Sequence, residues 1–135
     1  MLTKLFAAAP FLALCAGAAG CVIVDDSQPV VGNGILSVYW TLDGAADSSV
    51  CSYYGVDRVD IAVYDLDDYL VVDAQPYCED FGVTFDRVPD AGYNIEVTLL
   101  DSIGSPLSDT AIVPVDVWEN EETVLDIDFP DASIY

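Results

Sequence analysis

Three carboxylates within four residues, Asp65, Asp67 and Asp68 of Tyr64-Asp65-Leu66-Asp67-Asp68-Tyr69, form the best local group in this chain for chemistry. Their chemistry would be Ca²⁺ binding, because a hard cation takes six to eight oxygens, often from a loop. The spacing is not that of an EF-hand, which needs a Gly at the sixth loop position and a Glu at the twelfth. A chain with 24 Asp and Glu forms such clusters by composition alone, so a solvated hairpin turn is the competing reading. Paired carboxylates also raise glycoside hydrolysis. With this many acids nearly any fold sets some pair at the required separation, and the signal is unspecific. The chain has no His, no Gly-x-Ser-x-Gly elbow and no phosphate-cradling glycine loop. No catalytic residue is therefore expected, and the chain reads as a non-enzyme. Aromatic side chains offer a second kind of site. Tyr39, Tyr64 and Trp118 fall opposite the apolar face of their segments, and Tyr53-Tyr54 sit in a segment read as a loop. Exposed rings stack on sugars or anchor a protein partner, whereas a second covered face would make the same residues structural. Tyr39 and Tyr64 are the ligand-binding candidates.

The four cysteines are Cys15, Cys21, Cys51 and Cys78. Around the first two, Lys4, the apolar run Leu5 to Leu14 and the small residues Ala16 to Gly20 have the layout of an export signal. The quartet Ala18-Ala19-Gly20-Cys21 resembles the lipobox of bacterial lipoproteins. That resemblance implies cleavage before Cys21, a diacylglycerol thioether on its sulfur and fatty acyl chains such as palmitate. Val22 after Cys21, rather than Asp, implies by the same resemblance release to the outer membrane of a Gram-negative envelope. Two other readings stand beside it: an uncleaved anchor, since Leu5 to Val24 carries no charge, and an ordinary signal peptide cut after Gly20. All three deliver the rest of the chain outside the cytoplasm. With Cys15 and Cys21 so assigned, Cys51 and Cys78 remain, and an oxidising compartment is expected to join them. No zinc site is expected from two free Cys and no His.

Without Lys4, Arg58 and Arg87 face 24 acidic residues, a formal charge of −22. Such a surface repels phosphate backbones and anionic head groups, which argues against nucleic acid and peripheral binding to acidic lipid. The chain is also rich in Val, Ile, Leu, Tyr and Phe, so folding rather than disorder is expected.

The elements that must position these residues follow a period of two. Leu36, Val38, Trp40 and Leu42 share one face of a segment, with Ile35, Ser37, Tyr39 and Thr41 on the other. The alternation returns at Val59, Ile61 and Val63; at Phe81, Val83 and Phe85; and at Tyr93, Ile95, Val97 and Leu99. It returns again at Val113, Val115 and Val117, and at Leu125, Ile127 and Phe129. With Tyr69 to Asp73 as a shorter strand, seven strands are predicted, and no helical stripe. Their spacing predicts an all-β fold, an antiparallel Greek-key sandwich. Residues 1–20 read as a lipoprotein signal peptide, 21–34 as a lipid-anchored tether with a reach of about 40 Å, and 35–135 as the β-sandwich domain.

The run Phe85-Asp86-Arg87-Val88-Pro89-Asp90-Ala91-Gly92-Tyr93-Asn94-Ile95-Glu96-Val97 resembles a segment of carboxypeptidase-regulatory-like and transthyretin-like sandwiches. There an apolar residue, Pro and Gly precede a Tyr that opens a strand, and its hydroxyl bonds back to the preceding turn, a variant of the tyrosine corner. The wider layout is similar to small Gram-negative envelope lipoproteins. The resemblance implies an Ig-like or transthyretin-like sandwich acting as a lipid-anchored structural or interaction module. It reaches the membrane through Cys21, and its partner would be an envelope protein or a carbohydrate. A displayed carbohydrate- or Ca²⁺-binding module is the alternative, with Ca²⁺ the one cofactor considered.

Overall fold

A computed structural model describes residues 32–135. The signal segment, Cys21 and nearly all of the tether lie outside the described residues.

Seven strands form: β1 (Asn33–Leu42), β2 (Arg58–Asp65), β3 (Leu70–Ala74), β4 (Gly82–Pro89), β5 (Ala91–Leu100), β6 (Ala111–Val117) and β7 (Glu122–Phe129). They make two sheets, a three-stranded one in the order β4-β1-β7 and a four-stranded one in the order β3-β2-β5-β6. The core lies between them. Leu36, Val38, Trp40 and Leu42 of β1 face Val59, Ile61 and Val63 of β2 and Ile95, Val97 and Leu99 of β5, all at most 1% exposed. The alternation of one apolar face per strand places them there, and the side chains between them lie on the outer faces of the sheets.

The structure corrects the expected layout at four points. First, the sheets are not wholly antiparallel, because β1 and β7 run parallel from Ile35↔Glu122 to Leu42↔Phe129. A parallel pair needs a long crossover, and here the whole domain lies between the partners. Alternation along one strand carries no information about its neighbour's direction. Second, β1 begins at Asn33, inside the segment expected as tether, and Gly32 O accepts a 2.8 Å bond from Asp90 N. Third, Phe81 stands outside β4, in a left-handed conformation at φ 52°, and β3 is shifted one residue beyond the expected Tyr69 to Asp73. Fourth, Tyr53-Tyr54, read as lying in a loop, close a helix, α1 (Ser48–Tyr54). Two turns are too few to show a 3.6-residue period, and tertiary anchoring stabilises a helix this short. Asp47 caps it by accepting from Ser49 N at 3.1 Å. Gly55, at φ 71°, closes it by returning its N–H to the Cys51 and Ser52 carbonyls.

Cys51 of α1 is joined to Cys78, across 27 positions of sequence with their Cα atoms 6.0 Å apart. Both are buried, and Trp40 Nε1 donates to the Cys78 carbonyl at 3.0 Å. The crosslink and the indole thus tie α1 and the turn Cys78–Asp80 to the core strand β1. Beyond that turn, β4 carries a bulge. Gly34 pairs with Val88 and Leu36 with Phe85, so three steps on β4 match two on β1, with Arg87 at φ 58°. The extra residue resets the parity, which is why Phe85 and Val88 are both buried while Asp86 and Arg87 are both exposed. Where β4 turns into β5, the Tyr93 hydroxyl donates to the Pro89 carbonyl at 2.5 Å. Tyr93 is 2% exposed. The bond therefore satisfies a hydroxyl that would otherwise be buried without a partner.

Candidate functional site

The acidic segment forms the turn between β2 and β3. Asp65 Oδ1 accepts from Asp67 N at 2.9 Å and from Tyr69 N at 3.0 Å, Asp65 N donates to Tyr69 O, and Asp68 takes the left-handed position at φ 67°. The same arrangement recurs after β5, where Asp101 Oδ1 accepts from Ile103 N at 3.0 Å and Ser105 N at 2.8 Å, and Gly104 holds the left-handed position at φ 85°. That second turn has no flanking carboxylates. The Asp65 side chain therefore has a structural task here, holding the backbone of a hairpin turn. Among the described residues, no group of three or more His, Cys, Asp or Glu side chains is arranged to hold a metal ion.

The two tyrosine candidates are not brought together. Tyr39 lies on β1, on the outer face of the three-stranded sheet, and is 41% exposed. Tyr64 lies on β2, on the outer face of the other sheet, half-buried between its strand partners Leu70 and Asn94. Trp118 follows β6 and is exposed. Tyr53 and Tyr54 belong to α1, with their rings edge to face at 4.9 Å. The Tyr54 hydroxyl donates to Asp131 Oδ1 at 2.7 Å, and this bond to a carboxylate pushes the phenol from its ordinary 10.0 up to about 12. At the carboxyl end, Tyr135 is held above its ordinary range in the same way by Asp109.

Around Tyr39 the outer face is organised by cross-strand pairs. Ser37, wholly buried although it sits on this face, is bonded to Thr84 Oγ1 at 3.0 Å and donates to Glu122 Oε2 at 2.6 Å, linking β4, β1 and β7. The register sets Tyr39 between Gly82 of β4 and Asp126 of β7, and Thr41 opposite Asp128. The ring lies against Gly82, since a Cβ added there would stand 2.5 Å from its Cδ1 and 2.7 Å from its Cε1. Thr41 Oγ1 at 2.7 Å and Gly44 N at 2.8 Å both donate to Asp128 Oδ1. A shallow cleft of about 160 Å³ runs along this side, lined by Tyr39, Thr41, Asp126 and Asp128 among others. Reading the sequence singled out Tyr39 but missed Gly82, Asp126 and Asp128. The alternation Asp126-Ile127-Asp128 shows that both acids point outward, but nothing in it shows which strand they adjoin.

Positive charge is scarce. Arg58 Nε stands 3.6 Å from Asp57 Oδ2 in the one ion pair among the described residues, and its guanidinium lies 4.2 Å over the Tyr77 ring. Beside α1 a second open depression, about 360 Å³, is lined largely by polar groups including Asp57, Glu79 and Ser102. Among the described residues, no helix is long and apolar enough to cross a membrane.

No protein-family model and no curated protein sequence matches this chain. In structure it is similar to the major pilin subunit BcpA of Bacillus cereus, with a TM-score of 0.50 at 14% identity, over 72% of this chain and 30% of that one. Weaker likenesses are to the TIE protein of Bacillus anthracis (TM-score 0.48, 16% identity, 84% of this chain and 18% of that one) and to a proposed polysaccharide-binding protein of Bacteroides thetaiotaomicron (0.44, 11%, 69% and 46%). The chain thus spans less than half the length of each of these proteins. The pilin likeness is one of fold: this chain is a β-sandwich.

Proposed function

We propose that this chain is a lipid-anchored, non-enzymatic β-sandwich of the bacterial cell envelope, tethered by acylated Cys21 to the outer membrane and serving as a structural or interaction module. The observation that carries this reading is the pairing of Cys51 with Cys78 inside the core. A buried crosslink suits a domain matured in an oxidising compartment, and it leaves Cys21 as the cysteine for lipid once the signal is removed. The strand order β4-β1-β7 and β3-β2-β5-β6, with the Tyr93 to Pro89 bond, supports a transthyretin-like Greek-key arrangement. The acidic surface supports a role away from phosphate and anionic lipid head groups.

Mass spectrometry of the N-terminus of protein isolated from membranes tests the anchor. A diacylglyceryl and acyl mass on Cys21 is expected, together with incorporation of a palmitate analogue that Cys21→Ser abolishes. An unmodified Cys21 or an intact Met1 refutes the anchor. Calcium binding at Asp65, Asp67 and Asp68 has weaker support, because Asp65 Oδ1 already accepts two backbone N–H groups. Calorimetric titration with no heat at millimolar Ca²⁺ removes it.

A further inference from the structure

We propose that the outer face of the three-stranded sheet at Tyr39 is a binding platform for a neutral saccharide. This goes beyond the envelope reading and does not depend on lipidation of Cys21.

The ring is the first requirement. Because Gly82 has no side chain, the Cδ1–Cε1 edge of the Tyr39 ring comes down close to β4 there, while 41% of the residue stays exposed. A ring already held against a hydrogen-bonded sheet loses little further freedom when a ligand covers it. Such a surface suits the apolar C–H face of a pyranose.

Acceptors at the rim of the ring are the second requirement. The parallel register of β1 and β7 sets Asp126 beside Tyr39 and Asp128 beside Thr41. Asp128 is oriented by its two bonds from Thr41 and Gly44, both made to Oδ1, which leaves Oδ2 without a hydrogen-bond donor among the described residues. Sugar hydroxyls are donors, and charge-assisted hydrogen bonds to carboxylates are among the stronger kinds. An apolar patch edged by acceptors is the complement of a sugar ring edged by hydroxyls.

Charge then selects among saccharides. With 24 acidic residues in the chain and Glu122, Asp126 and Asp128 along β7, phosphorylated, sulfated and uronic sugars are repelled. A neutral glycan meets no such barrier. The cleft, about 160 Å³, is shallow, so affinity per site is expected at about 1 mM, with one ring engaged at a time. The competing role for Tyr39 is packing alone, an aromatic ring covering a strand glycine.

The test uses the full mature chain in a polyoxyethylene detergent, whose head groups carry no sugar, titrated calorimetrically with cellohexaose, maltohexaose and chitohexaose. Binding of at least one is expected at about 1 mM, and a hexamer of uronic acid is expected not to bind. Tyr39→Ala should weaken binding about tenfold or more, Tyr39→Phe should keep it within about threefold, and Asp126→Ala should weaken it about threefold or more. Melting curves for each variant separate lost binding from lost folding, and Asp126→Ala, an exposed change, reports on the site if Tyr39→Ala fails to fold. No binding of any of the three neutral hexamers at about 10 mM overturns the proposal. Binding that survives both Tyr39→Ala and Asp126→Ala, or equal binding of the uronic acid hexamer, also overturns it. The mass spectrum of the N-terminus is unaffected by any of these results, so failure here is distinguishable from failure of the anchor.

Discussion

Reducing the Cys51–Cys78 bond isolates one contribution to stability, because it changes no side-chain volume. The bond closes a loop across 27 positions, and the chain-entropy relation for a loop of that length gives about 3.5 kcal/mol at 25 °C. That is a large share of the roughly 5–15 kcal/mol that holds a domain together. In a domain of about 100 residues it corresponds to a fall in melting temperature of about 14–28 °C. Urea unfolding with and without a phosphine reductant, followed by fluorescence, measures it directly, since the Trp40 indole is bonded to the Cys78 carbonyl. The urea dependence should also steepen on reduction, because the uncrosslinked denatured chain exposes more surface. The double substitution Cys51→Ala with Cys78→Ala should cost more than reduction, since both sulfurs are buried and each truncation leaves a small void. If oxidised and reduced protein agree within about 1 kcal/mol, with equal urea slopes, the loop-closure reasoning is refuted.

Two further outcomes follow from the charged groups. Tyr54 is pushed up to about 12 and Tyr93 and Tyr135 are raised as well, Tyr54 and Tyr135 chiefly by their bonds to Asp131 and Asp109 and Tyr93 chiefly by burial. The unfolded phenols lose their protons at their ordinary pKa while the folded ones hold them. Stability is therefore full below about pH 10 and falls as pH rises above it, with Tyr54→Phe expected to flatten part of the slope. A melting temperature that stays level from about pH 9 to 11.5 counts against this. Added salt should stabilise the domain, because at 1 M the screening length is about 3 Å and repulsion among the many carboxylates fades, while only the Arg58–Asp57 pair stands to be weakened among the described residues. We expect a rise of about 5 °C or more between low salt and 1 M NaCl, the equivalent of about 1 kcal/mol, and a flat response contradicts it.

Much of the sandwich is legible as period-two alternation, and the reason is local. A strand buried on one face must alternate apolar and polar residues, so β1, β2 and β5 are read from Leu36 to Leu42, Val59 to Val63 and Tyr93 to Leu99 with the correct residues inward. The reading fails where the chain departs from plain alternation. At β4, the bulge at Asp86 and Arg87 breaks the parity between Phe85 and Val88. At α1, seven residues held by a cap, a glycine and a crosslink give no periodic signal. The turn residues show a different limit. Asp65 and Asp101 perform the same backbone task, yet only Asp65 attracted attention, because its neighbours are also acidic.

By itself, then, the sequence determined the seven strands, which face of most of them turns inward, the strong net negative charge, and the expected pairing of Cys51 with Cys78. Only the tertiary structure decided that β1 lies between β4 and β7, antiparallel to the first and parallel to the second, which sets Tyr39 against Gly82 on one side and Asp126 on the other, with Asp128 opposite Thr41, and keeps Tyr64 on the opposite sheet. The difference is one of range. Alternation and charge are written within a few consecutive residues, whereas the platform joins residues more than eighty positions apart, whose adjacency depends on how two sheets share one core.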